Sequence, residues 1–155
     1  MIQMPLTCGR FALIDDCDFD VICAYTWRSR HQKHTKSAYA VRTTHDGSSQ
    51  LMHRVILGLT DKNVFVDHIN RDGLDNRRAN LRIATRSQNG ANRTINATNK
   101  TGFRGVTWLA KSKRFTAQIS QAGMPTYLGS FITAEEAHAA YVAKGRELFG
   151  DFFDL

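Results

Sequence analysis

Between residues 76 and 134 the chain has no aspartate and no glutamate, against ten lysines and arginines. A solvated surface normally mixes both signs, so a stretch this long without a carboxylate implies a polyanionic partner. The flanks do not share the bias: residues 1–75 balance nine Lys/Arg against nine Asp/Glu, and residues 135–155 carry two against five. The net charge of +7 over 155 residues therefore sits in the middle. Nucleic acid is the leading partner on this ground. A basic face without a ligand is the plain alternative. An anionic membrane surface fits poorly, because the cations do not fall along one apolar-faced helix.

Long apolar runs are also missing, and none approaches the roughly 20 residues that cross a bilayer. The opening MIQMPLTCGRFALIDD has neither the basic nor the apolar region of a secretory leader, so the expectation is an intracellular protein. Cysteine is scarce: Cys8, Cys17 and Cys23 are odd in number and form no Cys-x-x-Cys pair. That pattern points away from a disulfide framework and from structural zinc, and toward reduced, partly buried thiols.

What is present suits one ordinary domain or two small modules. GRFALID reads as a strand, DFDVICAYTW as a short helix and SAYAVRTT as a strand with Tyr39 and Val41 on one face. After the turn HDGSS, QLMHRVILGL reads as a short helix offering Leu51, Val55 and Leu59 to a core, with Gly58 near its end. NVFVDHIN is an apolar strand ending in Asp67 and His68, followed by the breaker RDGLDNR. NLRIAT is a second strand alternating Leu81, Ile83 and Thr85, and Thr85 or Ser87 can cap a helix over RSQNGANR. TINATNKTG reads as a linker. Three alternating strands follow, FRGVTWLA, RFTAQIS and PTYLGSF, and then a helix from Thr133 whose TAEE is a capping box and whose inward face holds Ala137, Ala140, Tyr141 and Leu148.

Cutting a phosphodiester needs a base to make a nucleophile from water, an ion to stabilise charge, and a scaffold to hold both. An Asp-His pair at a strand end supplies a ligand and a base side by side. Successive strand residues point to opposite faces, so the two cooperate only where the strand ends or distorts, as the Asn70–Asp75 loop allows. With His68, Asn80 in RANLR and Asn89 in RSQNGAN, and Asp67 just before the first, the segment resembles the HNH nucleases, and more narrowly the phage homing endonucleases whose last motif residue is Asn. The resemblance implies His68 as general base, Asn80 orienting its ring, and Asp67 and Asn89 ligating one divalent ion, with Asn92 as runner-up ligand. Oxygen donors favour magnesium or manganese over zinc. His53 and Arg54 match an element found upstream of such hairpins, as a phosphate contact or support for the site. Arg71, Arg77, Arg78, Arg82 and Arg86 are candidate phosphate contacts.

From Lys100 to Phe152, the pieces GFRGV, KRFTAQI, YLGSF, TAEEAHAAY and FGDF resemble the plant ethylene-response-factor, or apetala-two, DNA-binding domain, in which the sheet enters the major groove. Val106, Phe115, Ile119, Leu128 and Phe131 would pack on the helix, leaving Arg104, Trp108, Lys113, Arg114, Gln118 and Tyr127 to meet DNA. The resulting expectation is an α+β chain: an HNH domain over 1–93 with a ββα-metal, or His-Me finger, hairpin at about 63–93 on an N-terminal α/β support, a linker over 94–100, and a three-stranded antiparallel sheet on one helix over 101–155. It would be a monomeric, metal-dependent endonuclease that nicks double-stranded DNA in a bacterial cytoplasm, without structural zinc, membrane or obligatory protein partner. The alternative from another class is a regulator that binds DNA through a nuclease-like fold without cutting it.

Overall fold

The N-terminal strands Ile2–Pro5 (β1) and Phe11–Ile14 (β2) pair antiparallel, Ile2 opposite Ile14. They belong to a computed structural model that describes residues 1–31, 37–93, 95 and 98–153. The chain divides into two units, Met1–Thr85 and Arg86–Leu155.

In the first unit, Asp16–Asp18 forms a 3-10 turn that leads into α1, Phe19–Cys23. Arg28–His31 (β3), Ala38–Thr43 (β4) and Ser49–Leu51 (β5) make a three-stranded antiparallel sheet with β4 in the centre. The core gathers Ile14, Ile22, Trp27, Ala40 and Met52, and the Trp27 indole is satisfied by the Ile22 carbonyl at 2.9 Å. β3 escapes a reading by alternation because its RSRH carries no apolar residue, and β1, IQMP, is too short to stand out. The cysteines expected to be partly buried are exposed, all three of them.

Helix α2 spans only Met52–Ile56, and Gly58 at φ +64 ends the turn as expected. It buries Met52, His53 and Ile56; of the residues expected to face the core, Val55 packs against it partly buried, while Leu51 and Leu59 fall outside the helix. The cause is its start: Leu51 is still extended at the end of β5, and beginning the helix one residue later rotates the buried stripe by about 100°. Phe65–His68 (β6) and Leu81–Ala84 (β7) then form a two-stranded antiparallel ribbon, Asp67 opposite Arg82 and His68 opposite Leu81. In β7, Leu81 and Ala84 are buried, whereas Ile83 points to solvent.

The second unit begins with α3, Arg86–Ala91, and continues as Val106–Leu109 (β8), Arg114–Gln121 (β9) and Met124–Phe131 (β10). The sheet order is β10-β9-β8, all antiparallel, with an irregularity between Tyr127 and Gly129. Ala122 and Gly123, at φ +50 and +83, close a two-residue hairpin whose left-handed backbone matches the strand twist. Helix α4, Ala134–Phe149, starts with the capping box, Thr133 accepting from the Glu136 amide. Ala137 and Tyr141 face inward as expected, with Ala134, Gly145 and Phe149 beside them, while Ala140 and Leu148 are half-buried. Val106, Ala117 and Ile119 complete this core, with Phe115, Leu128 and Phe131 partly buried against it.

Candidate active site

β6 delivers Asp67 and His68 to its C-terminal end, where both are buried, 4% and 5% exposed. They are the last two residues of the strand, and each has its own partner. Asp67 meets its cross-strand partner Arg82, whose Nε and Nη2 lie 2.8 and 2.7 Å from Oδ2. The His68 ring lies against Tyr39 and His53, with centroids 5.7 and 5.0 Å away. The strand stops here: the Arg71 amide donates to the His68 carbonyl at 2.9 Å, and Arg71 adopts φ +64.

The following loop is tied at both ends. Asp75, almost fully buried, accepts from Asn70 Nδ2 at 2.8 Å and from Arg77 Nε and Nη2 at 2.8 and 2.6 Å. The backbone of Leu13 in β2 clamps the same segment, donating to Leu74 O and accepting from Asn76 N, both at 2.8 Å. Asn80 adds three bonds: its Nδ2 donates to Asp75 O at 2.7 Å and to Asn70 Oδ1 at 2.9 Å, and its Oδ1 accepts from Asn70 N at 3.0 Å.

These bonds revise the role given to Asn80. The amide on the His68 ring is that of Asn76, whose Nδ2 donates to Leu74 O at 3.2 Å and so turns Oδ1 to within 3.4 Å of His68 Nε2. With the Asn76 Oδ1 as acceptor, Nε2 is the ring nitrogen that would donate, which would leave the lone pair of the neutral imidazole on Nδ1. Asn80 acts one step back, by bracing the loop that carries Asn76. Burial lowers the His68 pKa below its ordinary value, against the opposing pull of the Asn76 bond and of Asp67, Asp72 and Asp75. His53 is pushed down to about 3, by burial first and then by His68 and Arg54. The hydrogen bond from Arg77 holds the Asp75 carboxyl below the usual range. Near pH 7 the site therefore combines two neutral imidazoles with the ionised Asp75.

Arg54, expected as a phosphate contact or a support for the site, braces it: Nη1 donates to Val64 O at 2.7 Å and Nη2 to Asp61 O, fixing the entry to β6. Arg77 and Arg78 are likewise internal struts. Arg77 clasps Asp75, and Arg78 reaches Asp18 with Nε and Nη2 at 3.0 and 2.7 Å and Ile56 O at 2.9 Å. Buried carboxylates stay charged only when paired in this way. Arg71 is half-buried and Arg86 is exposed on α3. Asn89 is half-buried on α3, and Asn92 is buried just beyond its end.

Among the described residues, no three His, Cys, Asp or Glu side chains assemble as a ligand cluster. The donor that fits a hard ion is Asp67. It is a buried carboxylate already built to face a cation, and a Mg²⁺-type ion needs only one or two such groups with waters filling the rest.

Residues 51–91 match the HNH endonuclease family. The protein is a nuclease. Along 149 residues it is also 29% identical to a protein named uncharacterized HNH endonuclease of Acanthamoeba polyphaga mimivirus, covering 93% of this chain and 73% of that one. No solved structure matches significantly. Enzymes of this family typically use a divalent metal ion. No helix of the nuclease, among the described residues, is long and apolar enough to cross a membrane.

The nuclease's C-terminal sheet sorts the remaining candidates by face. Arg114 and Gln118 alternate with the partly buried Phe115 and the buried Ala117 and Ile119, and Tyr127 pairs with Gln118, so these three share the exposed face away from α4. Lys113 sits in the preceding turn at φ +51. Trp108 does not join them: it pairs with Phe115, its ring centroid 4.7 Å from that of Phe115, on the α4 side. Nor does Arg104, whose guanidinium carbon lies 4.7 Å from the Phe153 centroid and 5.5 Å from that of Tyr141. For Trp108 the reason is register, since Val106 is buried and Trp108 two residues on shares its face; Arg104 precedes the strand and is placed by its contacts with Phe153 and Tyr141.

Sequence pattern alone does not single out Tyr39, Asp75 or Asn76 as site residues. A signal was present: Asn70, Asp72, Asp75 and Asn76 fall within seven residues, more side-chain acceptors than one tight turn uses.

Proposed function

We propose that this nuclease hydrolyses phosphodiester bonds of duplex DNA with one magnesium or manganese ion per site, nicking one strand. The observation that carries the reading is His68, neutral, buried and held through Nε2 by Asn76, directly after Asp67 at the end of β6. His68 takes a proton from the attacking water on Nδ1. Asn76 and the Asp75 clamp keep the ring in place while it does so, with Asn80 holding the loop. Asp67 offers a carboxylate oxygen to the ion, and Asn89 supplies a second oxygen on the strength of its motif position alone. A bound ion would supply positive charge at the scissile phosphate and the departing 3′ oxygen.

The C-terminal unit, in this proposal, is an apetala-two-like module that grips duplex DNA with Arg114, Gln118 and Tyr127 and the neighbouring Lys113. Arg can read guanine and Gln can read adenine in a major groove. Residues Arg71 and Arg86 contribute phosphate contacts.

The test is conversion of supercoiled DNA to the nicked circle with Mg²⁺ or Mn²⁺, set against chelator and against His68→Ala. The expected result is metal-dependent nicking that falls by about 10²- to 10⁴-fold in the variant, with duplex binding retained. Cutting that survives chelation, or a variant that cuts at the wild-type rate, would end this reading. Tight binding without cutting under any condition would favour the regulator instead.

A further inference from the structure

Arg104 and Trp108, the two residues that the outer sheet face does not take, line one cleft of the C-terminal unit with Arg86, Arg93, Lys100 and Phe115. The cleft measures about 1860 Å³, beyond the roughly 300–1,000 Å³ that encloses small molecules. A polymer segment suits that volume better. Its charge is one-sided as well, since Glu135 is the one carboxylate among the described lining residues.

Arg104 is the unusual member. One Nη donates to the Arg93 carbonyl, the plane rests on Phe153 and Tyr141, and Nε and the second Nη are buried without a hydrogen-bond partner. Guanidinium donors left unused beside a cationic cleft are matched by phosphate oxygens, which form charge-assisted pairs with them. Trp108 adds the second half of a recognition chemistry: its indole is 45% exposed and backed by Phe115. Bases stack on such platforms without regard to sequence, provided they are not already stacked in a duplex.

We propose that this cleft binds an unpaired strand of DNA, with a base stacked on Trp108 and phosphates held by Lys100, Arg93 and Arg104. The inference rests on the reading of the protein as a DNA nuclease. It adds a second surface to the C-terminal unit, distinct from the outer face that would hold duplex. A nicked strand can peel from its complement, and this cleft accepts what the duplex-binding face cannot.

The chain reports on the question itself. It has two tryptophans, and Trp27 is 1% exposed in the other unit, so quenching by a ligand at the surface reads Trp108. A short oligothymidylate, added in chelator, should quench the emission, and Trp108→Phe should abolish that change. By anisotropy of a dye-labelled single strand, Trp108→Ala should weaken binding about tenfold or more, with Trp108→Phe intermediate. Arg104→Lys, which keeps the charge and removes the planar fork, and Lys100→Gln should also weaken it, with unfolding midpoints checked for each. Duplex affinity should be unaltered in these variants, and Arg114→Gln should do the reverse. Unquenched Trp108 at saturating oligothymidylate overturns the inference, as does equal loss of single-strand and duplex binding in Trp108→Ala. Failure of the nuclease reading shows elsewhere, in the nicking assay with supercoiled DNA.

Discussion

Asp18, Asp67 and Asp75 are each clasped by an arginine, and the two buried histidines beside them carry no charge near pH 7. Desolvation makes an unpaired buried charge costly, so each group has either found its partner or given up its proton. The sign for stability follows from His53. Its folded pKa, about 3, lies below the ordinary value of about 6.5, so the unfolded chain binds more protons between those limits. Stability is full above about pH 6.5 and is lost as pH falls toward 3, and His68, also lowered, acts in the same direction. From pH 7 to pH 5 the His53 contribution should fall by about 2 kcal/mol. Urea midpoints read from Trp27 in a Trp108→Phe background should show that loss, and His53→Gln should flatten it. A pH-independent midpoint over this window would contradict the burial argument. At this scale the placing of Asp67 and His68 at the end of a strand was legible in the chain, because the strand and the breaker after it are local patterns. Asn76 as the ring's partner was not, because it depends on a loop held by Leu13, far away in sequence.

The element that most constrains the site is the loop between β6 and β7, and Gly73 is where it touches β4. A Cβ there would lie 2.5 Å from the Ala38 carbonyl oxygen and 2.6 Å from the Tyr39 ring, the ring that packs on both His53 and His68. Gly73→Ala must therefore push the loop or Tyr39, at a cost of about 1–3 kcal/mol, and nicking should fall at least tenfold as His68 loses its placement. Gly47→Ala is the matched control. It sits at φ +79 with nothing within 4 Å, so it should cost about 1 kcal/mol of backbone strain and leave nicking intact. Equal activity in the two variants would show that the Tyr39 contact does not position the histidine. Elements themselves were partly legible. β6, β7 and α4 follow from their apolar patterns and the capping box, whereas α2 turned its face when β5 took Leu51, a decision made by strand pairing.

For the whole molecule, the uneven charge predicts strong salt dependence. If about six phosphates are neutralised, duplex affinity should weaken by roughly a thousandfold between 50 and 200 mM salt. Anisotropy titrations across that range would check it, with a double Lys113→Gln, Arg114→Gln variant lowering the log–log slope by about two. A flat response would remove the phosphate argument. Not every arginine counts toward that slope, since Arg77 and Arg78 are spent on Asp75 and Asp18. The sequence by itself determined the kind of chemistry available: an Asp-His-Asn-Asn spacing, a carboxylate-free middle and two modules, all of them local or additive properties of the chain. Tertiary structure alone decided which arginines are paired with buried carboxylates and which side chain lies against the His68 ring. It also decided to which side of the sheet Trp108 and Arg104 turn. The reason is that each of these outcomes depends on a contact between segments far apart along the chain, such as Arg78 with Asp18 or Leu13 with Asn76, and no local pattern records who that partner will be.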